Sequence, residues 1–136
     1  MIRCFLVLAF LSSSPFLGFS DTIHVPADHP TIQEAIDVAL DGDTIVVAPG
    51  TYPENISISN QQITLMSSDG PEVTILRNES SADKSVVNFA NTPAETVFEG
   101  FTVENGTLGG INCSDSFCVI KGNIISNNEA NYMWNG

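Results

Sequence analysis

The chain reads as an all-β solenoid, a parallel β-helix whose first coil lies under a short amphipathic α-helix. Three observations predict this. Gly100-Phe101-Thr102-Val103-Glu104-Asn105-Gly106 recurs as Gly122-Asn123-Ile124-Ile125-Ser126-Asn127-Asn128, about 22 residues further on, and Val97 falls on Val119 in the same register. The strands between are short and apolar, and the turns between them are rich in Asn, Gly, Ser and Asp, with no helical period interposed. Upstream, a compact helical pattern passes at once into strand pattern. Parallel strands need a long crossover, and a coil that returns every ~22–25 residues supplies it as its own remaining sides. A β-sandwich would also give closely spaced strands, but it offers no reason for this register.

Residues 1–20 read as a signal peptide. Arg3 is the only charge, Cys4 to Leu11 is an unbroken apolar run, and Gly18-Phe19-Ser20 places small residues where a signal peptidase cuts. The run is too short to cross a bilayer, so the mature chain, residues 21–136, is expected to have no membrane-spanning segment and to be secreted or cell-surface. Its capping strand and helix occupy residues 21–42 and its coils residues 43–136.

Thr22-Ile23-His24-Val25 reads as an edge strand. His24 and His29 lack a third ligand nearby, so no metal site is assigned there. From Thr31 to Leu40 the apolar residues Ile32, Ala35, Ile36, Ala39 and Leu40 share one helical face. Thr31 and Glu34 have capping-box spacing, and Gly42 is placed to end the helix in a left-handed cap. Thr44 to Ala48 is strand-like, Pro49-Gly50 turns the chain, and Ile56-Ser57-Ile58 alternates as a second strand. The helix is expected to shield the open end of the first coil, with Tyr52 packing near the first turn.

Looser echoes set Val73 to Leu76 against Val97, Ile63 to Leu65 against Val86 to Asn88, and Ile111 to Cys113 against the same Val86 segment. Asn105 and Asn127 should stack at one corner and pass side-chain amide hydrogen bonds along the coil axis as an asparagine ladder. On that reading a glycan on Asn105 conflicts with the fold. Glu99 and Lys121, in the same register, place opposite charges on adjacent coils.

The chain is acidic, with a formal charge of −12 that becomes −13 once Arg3 leaves with the leader. Such a surface repels nucleic acid and anionic lipid, which excludes nucleic-acid binding, and it meets an acidic polysaccharide only across bridging Ca²⁺. Acidic turns could hold Ca²⁺ between coils, but they lack the register of calcium-binding nonapeptide repeats. No cofactor is otherwise implied.

Cys113 and Cys118, the only cysteines after the leader, are a disulfide candidate in an exported chain or else two buried thiols. Sequons occur at Asn55, Asn78, Asn105 and Asn112. The sequence stops at Asn131-Tyr132-Met133-Trp134-Asn135-Gly136 with no closing cap, so it is expected to be the amino-terminal part of a longer solenoid. Tyr132 and Trp134 then read as core residues of a next coil, or as a sugar-stacking platform.

The Thr-Ile-Gln-Glu-Ala-Ile helix, the Gly-Asp-Thr-Ile-Val-Val strand and Pro-Gly-Thr-Tyr-Pro-Glu-Asn-Ile resemble the amino-terminal cap and first coil of pectin-lyase-like right-handed parallel β-helix proteins. Pectin methylesterases open similarly, as do secreted β-helix proteins without established activity. Gly109-Gly110-Ile111 and Ile125 to Ala130 are also similar to repeats of polymorphic outer-membrane proteins and autotransporter passengers. The resemblance implies a right-handed coil and a polysaccharide or cell-surface glycan as partner. Enzymes of this kind need clustered Asp with a basic residue, or an Asp pair with an oxyanion-stabilising Gln. Here the acids are scattered in turns, so no catalytic residue is assigned. The expectation is a non-catalytic glycan- or surface-binding scaffold. The alternatives are the amino-terminal portion of a pectin-active lyase or methylesterase, and a passenger segment of an outer-membrane adhesin.

Overall fold

In the computed structural model, which describes residues 18–130, three parallel sheets wind around one apolar core for about four turns. Most of the leader, together with Tyr132 and Trp134, lies outside the described residues.

From β2 (Thr44–Val47) onward the chain visits the sheets in strict rotation, β1 (Thr22–Val25) and β2 both lying in the first. The first sheet is built from β1, β2, β5 (Thr64–Ser67), β8 (Thr96–Glu99) and β11 (Cys118–Lys121), in that spatial order. The second contains β3 (Gly50–Tyr52), β6 (Thr74–Arg77), β9 (Thr102–Glu104) and β12 (Ile124–Ser126). The third contains β4 (Ile56–Ser59), β7 (Val87–Ala90) and β10 (Ile111–Ser114). Strands within each sheet run parallel, and Val97 pairs with Val119 as the repeat requires.

Alternation sends one side of each strand inward. Ile45, Leu65 and Phe98 form one fully buried column, Leu76 and Val103 another, and Ile58 and Phe89 a third. Aromatic packing ties the walls together: Phe98 stacks on Phe101 at 4.8 Å between ring centroids and meets Phe89 edge-on at 6.1 Å. The core therefore runs along the coil axis, and each inner layer is buried by those above and below it, while the last described layer leaves Ile120 and Ile125 exposed.

Coil length is less uniform than the repeat suggests. Thr44 pairs with Thr64, Thr64 with Val97, and Val97 with Val119, so the middle turn takes half as much chain again as the turns on either side. This long turn corrects two of the looser echoes. Thr74 to Arg77 joins the second sheet, with Ile75 beside Thr102, and Thr64 pairs with Val97 instead of the Val87 region. Ile111 pairs with Val87, one residue from the expected Val86. The cause is a set of extended corners, before β6, β7 and β8, which no fixed period anticipates.

Corners are made by residues that accept left-handed backbone. Asn60, Asn91 and Asp115 end the three strands of the third sheet with φ of 56°, 52° and 48°. Gly100, φ 83°, turns the chain from the first sheet to the second so close to Ser67 that a Cβ would lie 2.5 Å from its hydroxyl oxygen.

The lid helix α1 spans Ile32–Val38, shorter than the expected Thr31 to Leu40. Ala39 leaves helical geometry (ψ 142°), so Leu40 misses the apolar stripe and is 65 % exposed. Gly42 has the expected positive φ, but in a separate turn beyond the cap. Thr31 Oγ1 accepts the Glu34 N–H at 3.2 Å. The remaining helix ends are held from the first coil. Glu54 accepts the N–H groups of Ile32 and Gln33, both at 3.0 Å, and Gln61 donates to the carbonyls of Ile36 and Ala39. Buried Ile32, Ala35 and Ile36 then face the coil end. Tyr52 is buried in the first turn, and its hydroxyl donates to the Ala48 carbonyl.

Candidate functional site

The third sheet carries the most site-like surface. Its inward residues are Ile56, Val87, Ile58 and Phe89, and alternation turns Ser57, Asn88 and Asn112 outward in one column across three coils. Asn112 Nδ2 donates to Asn88 Oδ1 at 2.6 Å and to Ser114 Oγ at 3.3 Å, which fixes both amides. Ser57 is held by Gln33, whose amide accepts the Ser57 N–H at 2.8 Å and donates to its carbonyl at 3.2 Å. That side chain pairs with the strand edge as a neighbouring strand would.

A groove of about 610 Å³ runs over this face, bounded by Asn55, Lys84, Ser85 and Leu108. The long corner before β7 forms its rim, held by the Asn55 amide donating to the Ser85 carbonyl at 2.9 Å. Lys84 is its cation. Arg77 pairs with Glu104 (Nε to Oε1, 2.6 Å) and Lys121 with Glu99 (3.2 Å), whereas Lys84 makes no ion pair among the described residues. Amides, hydroxyls and one ammonium around a shallow trough can exchange hydrogen bonds with a hydroxyl-rich ligand.

The residues singled out from the sequence do not converge on this face. Asn105 and Asn127 do stack, φ 64° and 54°, but through the main chain, the Asn105 N–H donating to the Asn127 carbonyl at 3.1 Å. Around this part of the coil, the amides that bond to the main chain of the neighbouring coil belong to Asn78, Asn123 and Asn128. Asn78 donates to the Asn105 carbonyl. Asn123 accepts the Phe101 N–H and donates to the Phe98 carbonyl, and Asn128 does the same for Gly106 and Val103. Left-handed Asn side chains turn away from the axis, so the ladder falls to their neighbours.

Cys113 and Cys118 face each other across the β10–β11 corner as reduced thiols, sulfurs 3.5 Å apart. Burial, together with the hydrogen bond that the Cys118 thiol donates to Cys113 and the nearby Cys113 charge, pushes the Cys118 thiol up to about 11. His24 lies beside Asp28, 3.4 Å apart, and the His24 backbone N–H holds the Asp28 carboxyl below its usual range. Among the described residues no three His, Cys, Asp or Glu side chains cluster closely enough to hold a metal ion, and no helix is long and apolar enough to cross a membrane.

Sequence reasoning missed the structural or site roles of Glu54, Gln61, Asn88, Asn112 and Asn123. Asn123 lay in a segment already aligned, opposite Phe101. The pairing of Asn88 with Asn112 was hidden by the one-residue slip in the Val86 alignment.

Comparison with known proteins finds a relative among surface proteins. The chain is 32 % identical over 127 residues to a protein of Methanothermus fervidus named "Cell surface glycoprotein". The match covers 90 % of this chain and 20 % of that protein, so the chain spans about one fifth of the relative's length. No family model matches, and no solved structure matches.

Proposed function

We propose that the chain is part of an exported, cell-surface β-helix scaffold of the pectin-lyase-like type whose third-sheet groove binds glycan. The observation that carries this is the outward column Ser57–Asn88–Asn112, its amides set by mutual hydrogen bonding inside a groove rimmed by Lys84. Strand spacing of about 4.8 Å repeats the polar groups along the axis, which suits a linear polymer of similar units. The relative's name supports a surface location. Exposed hydrogen bonds contribute about 0.5–1.5 kcal/mol each, so single contacts are weak and a polymer gains by engaging several copies.

The test is retention of the full chain on immobilised neutral and acidic polysaccharides. The double variant Asn88→Ala, Asn112→Ser should bind about tenfold more weakly, the loss of about 1.4 kcal/mol. No retention by any polysaccharide, or equal retention of the variant, would sink the reading. Unsaturated product released from polygalacturonate with Ca²⁺ would replace it with a lyase.

A further inference from the structure

An N-linked glycan leaves through the side-chain amide nitrogen of a sequon asparagine, so the fold must spare that atom. The four sequons differ sharply in this respect. Asn78 is 5 % exposed, and its amide holds two coils together by donating to the Asn105 carbonyl at 3.1 Å while its Oδ1 accepts the Ser80 N–H at 3.0 Å. A sugar there has no room. Asn55 is half-buried in the groove wall, its amide spent on Ser85. Asn112 is exposed, but its amide is bonded to Asn88 and Ser114 within the groove.

Asn105 is the exception. It is exposed, and its side chain makes no hydrogen bond among the described residues. Its structural work is done by its main chain, the N–H bonded to Asn127 and the carbonyl to the Asn78 amide. With φ 64° it sits on a corner anchored from both sides, so a substituent on Nδ2 costs the fold no contact. The expected conflict between a glycan here and the ladder disappears, because this side chain is not in the ladder. The hydroxyl of Thr107, the sequon's third residue, accepts the Lys84 N–H at 2.9 Å, which ties this corner to the long loop.

We propose that Asn105 is the principal N-glycan acceptor of this chain and that Asn78 stays unmodified. In the transfer Asn105 Nδ2 attacks the anomeric carbon of a lipid-linked glycosyl phosphate. The C–N bond forms, the anomeric C–O bond breaks with its electron pair leaving on the lipid phosphate, and Nδ2 releases one proton to solvent.

The experiment is glycopeptide mass spectrometry of the chain from the surface fraction of its source cells. The same spectra are read for an amino-terminal peptide beginning at Asp21, which reports export separately. Asn105 should show the highest occupancy of the four sequons with Asn78 bare. Asn105→Gly, which keeps the positive φ, should remove the dominant glycoform and leave the melting temperature of the deglycosylated protein unchanged. A bare Asn105, a lower occupancy there than at any other sequon, or any glycan on Asn78 overturns the proposal.

Discussion

The last full turn and the turn before it hold the same three sheets in different lengths of chain. In the last, Val97 reaches Val119 and Thr102 reaches Ile124 by the shorter route, with a tight corner of Asp115, Ser116 and Phe117 between β10 and β11. In the earlier one, Thr64 reaches Val97 and Ile56 reaches Val87 only after half as much chain again. The strands stay nearly equally short in both, and the excess is spread over the three corners that precede β6, β7 and β8. Stacked strands are held by main-chain hydrogen bonds and buried columns, so they resist insertion. Corners are solvated and absorb it at small entropic cost. The compact turn supplies the repeat, and the expanded turn supplies the groove.

The largest effect expected from breaking this division lies in β8, where the expanded turn meets the last one. Phe98→Ala removes a side chain packed on both Phe89 and Phe101 and should cost about 3–5 kcal/mol in urea unfolding. Ile125→Ala, in β12 at the last described layer and 52 % exposed, should cost well under half as much. Equal losses would mean that the inner layers and the last described layer do not differ in core packing.

Next come the polar ties. Glu54→Ala frees two N–H groups at the start of α1 and should cost about 2 kcal/mol, with helix amides exchanging faster than strand amides. Asn123→Ala strands the Phe101 N–H beside a fully buried ring, at about 1–3 kcal/mol. Asn127→Ala loses no side-chain bond between coils, so its cost should reflect only the left-handed backbone of that turn, about 1 kcal/mol.

Shortening the loop by deleting residues 79–83 sharpens the comparison differently. It should change stability by less than about 1 kcal/mol while abolishing polysaccharide retention, because the shortened loop would draw Lys84 and Ser85 off the groove rim without touching the core. Unfolding by this deletion would show the long corner to be structural.

The smallest effects sit at the Cys113–Cys118 corner. Oxidation would close a very short loop, and resistance to unfolding should rise by about 2 kcal/mol at most, read as a melting shift alongside the loss of two hydrogens by mass. In the reduced protein Cys118 keeps its proton up to about pH 11, against an unfolded value of 9.0. Between those values the unfolded chain binds fewer protons than the folded one, so stability should fall as pH rises from 9.0 towards about 11. Cys118→Ser should flatten that slope.

How much of this was legible depended on whether the signal was local. The echo running from Gly100 to Asn128 exposed the coil because both copies have corners of similar length. Upstream the same reasoning misplaced β6 and β7, since the long corners break any fixed period. The cap that Thr31 makes to the Glu34 N–H could be read from its spacing within one helical turn, whereas the reciprocal bond from the Glu34 carboxylate is not present among the described residues. Glu54 holds the same helix end, but it is distant along the chain from Ile32 and meets it only once the coil turns. Asn105 was placed at the right corner and given the wrong role, because composition cannot say which of several neighbouring amides points inward.

By itself the sequence determined the winding: alternating apolar residues, left-handed Asn and Gly at corners, and an amphipathic lid are local patterns with local physical causes. Only the tertiary structure decided which polar groups share a face, since Ser57, Asn88 and Asn112 become neighbours through register alone. It also decided which amides are spent between coils and which remain for chemistry outside the fold. Burial and pairing are properties of stacked layers, and a single layer read along the chain does not contain them.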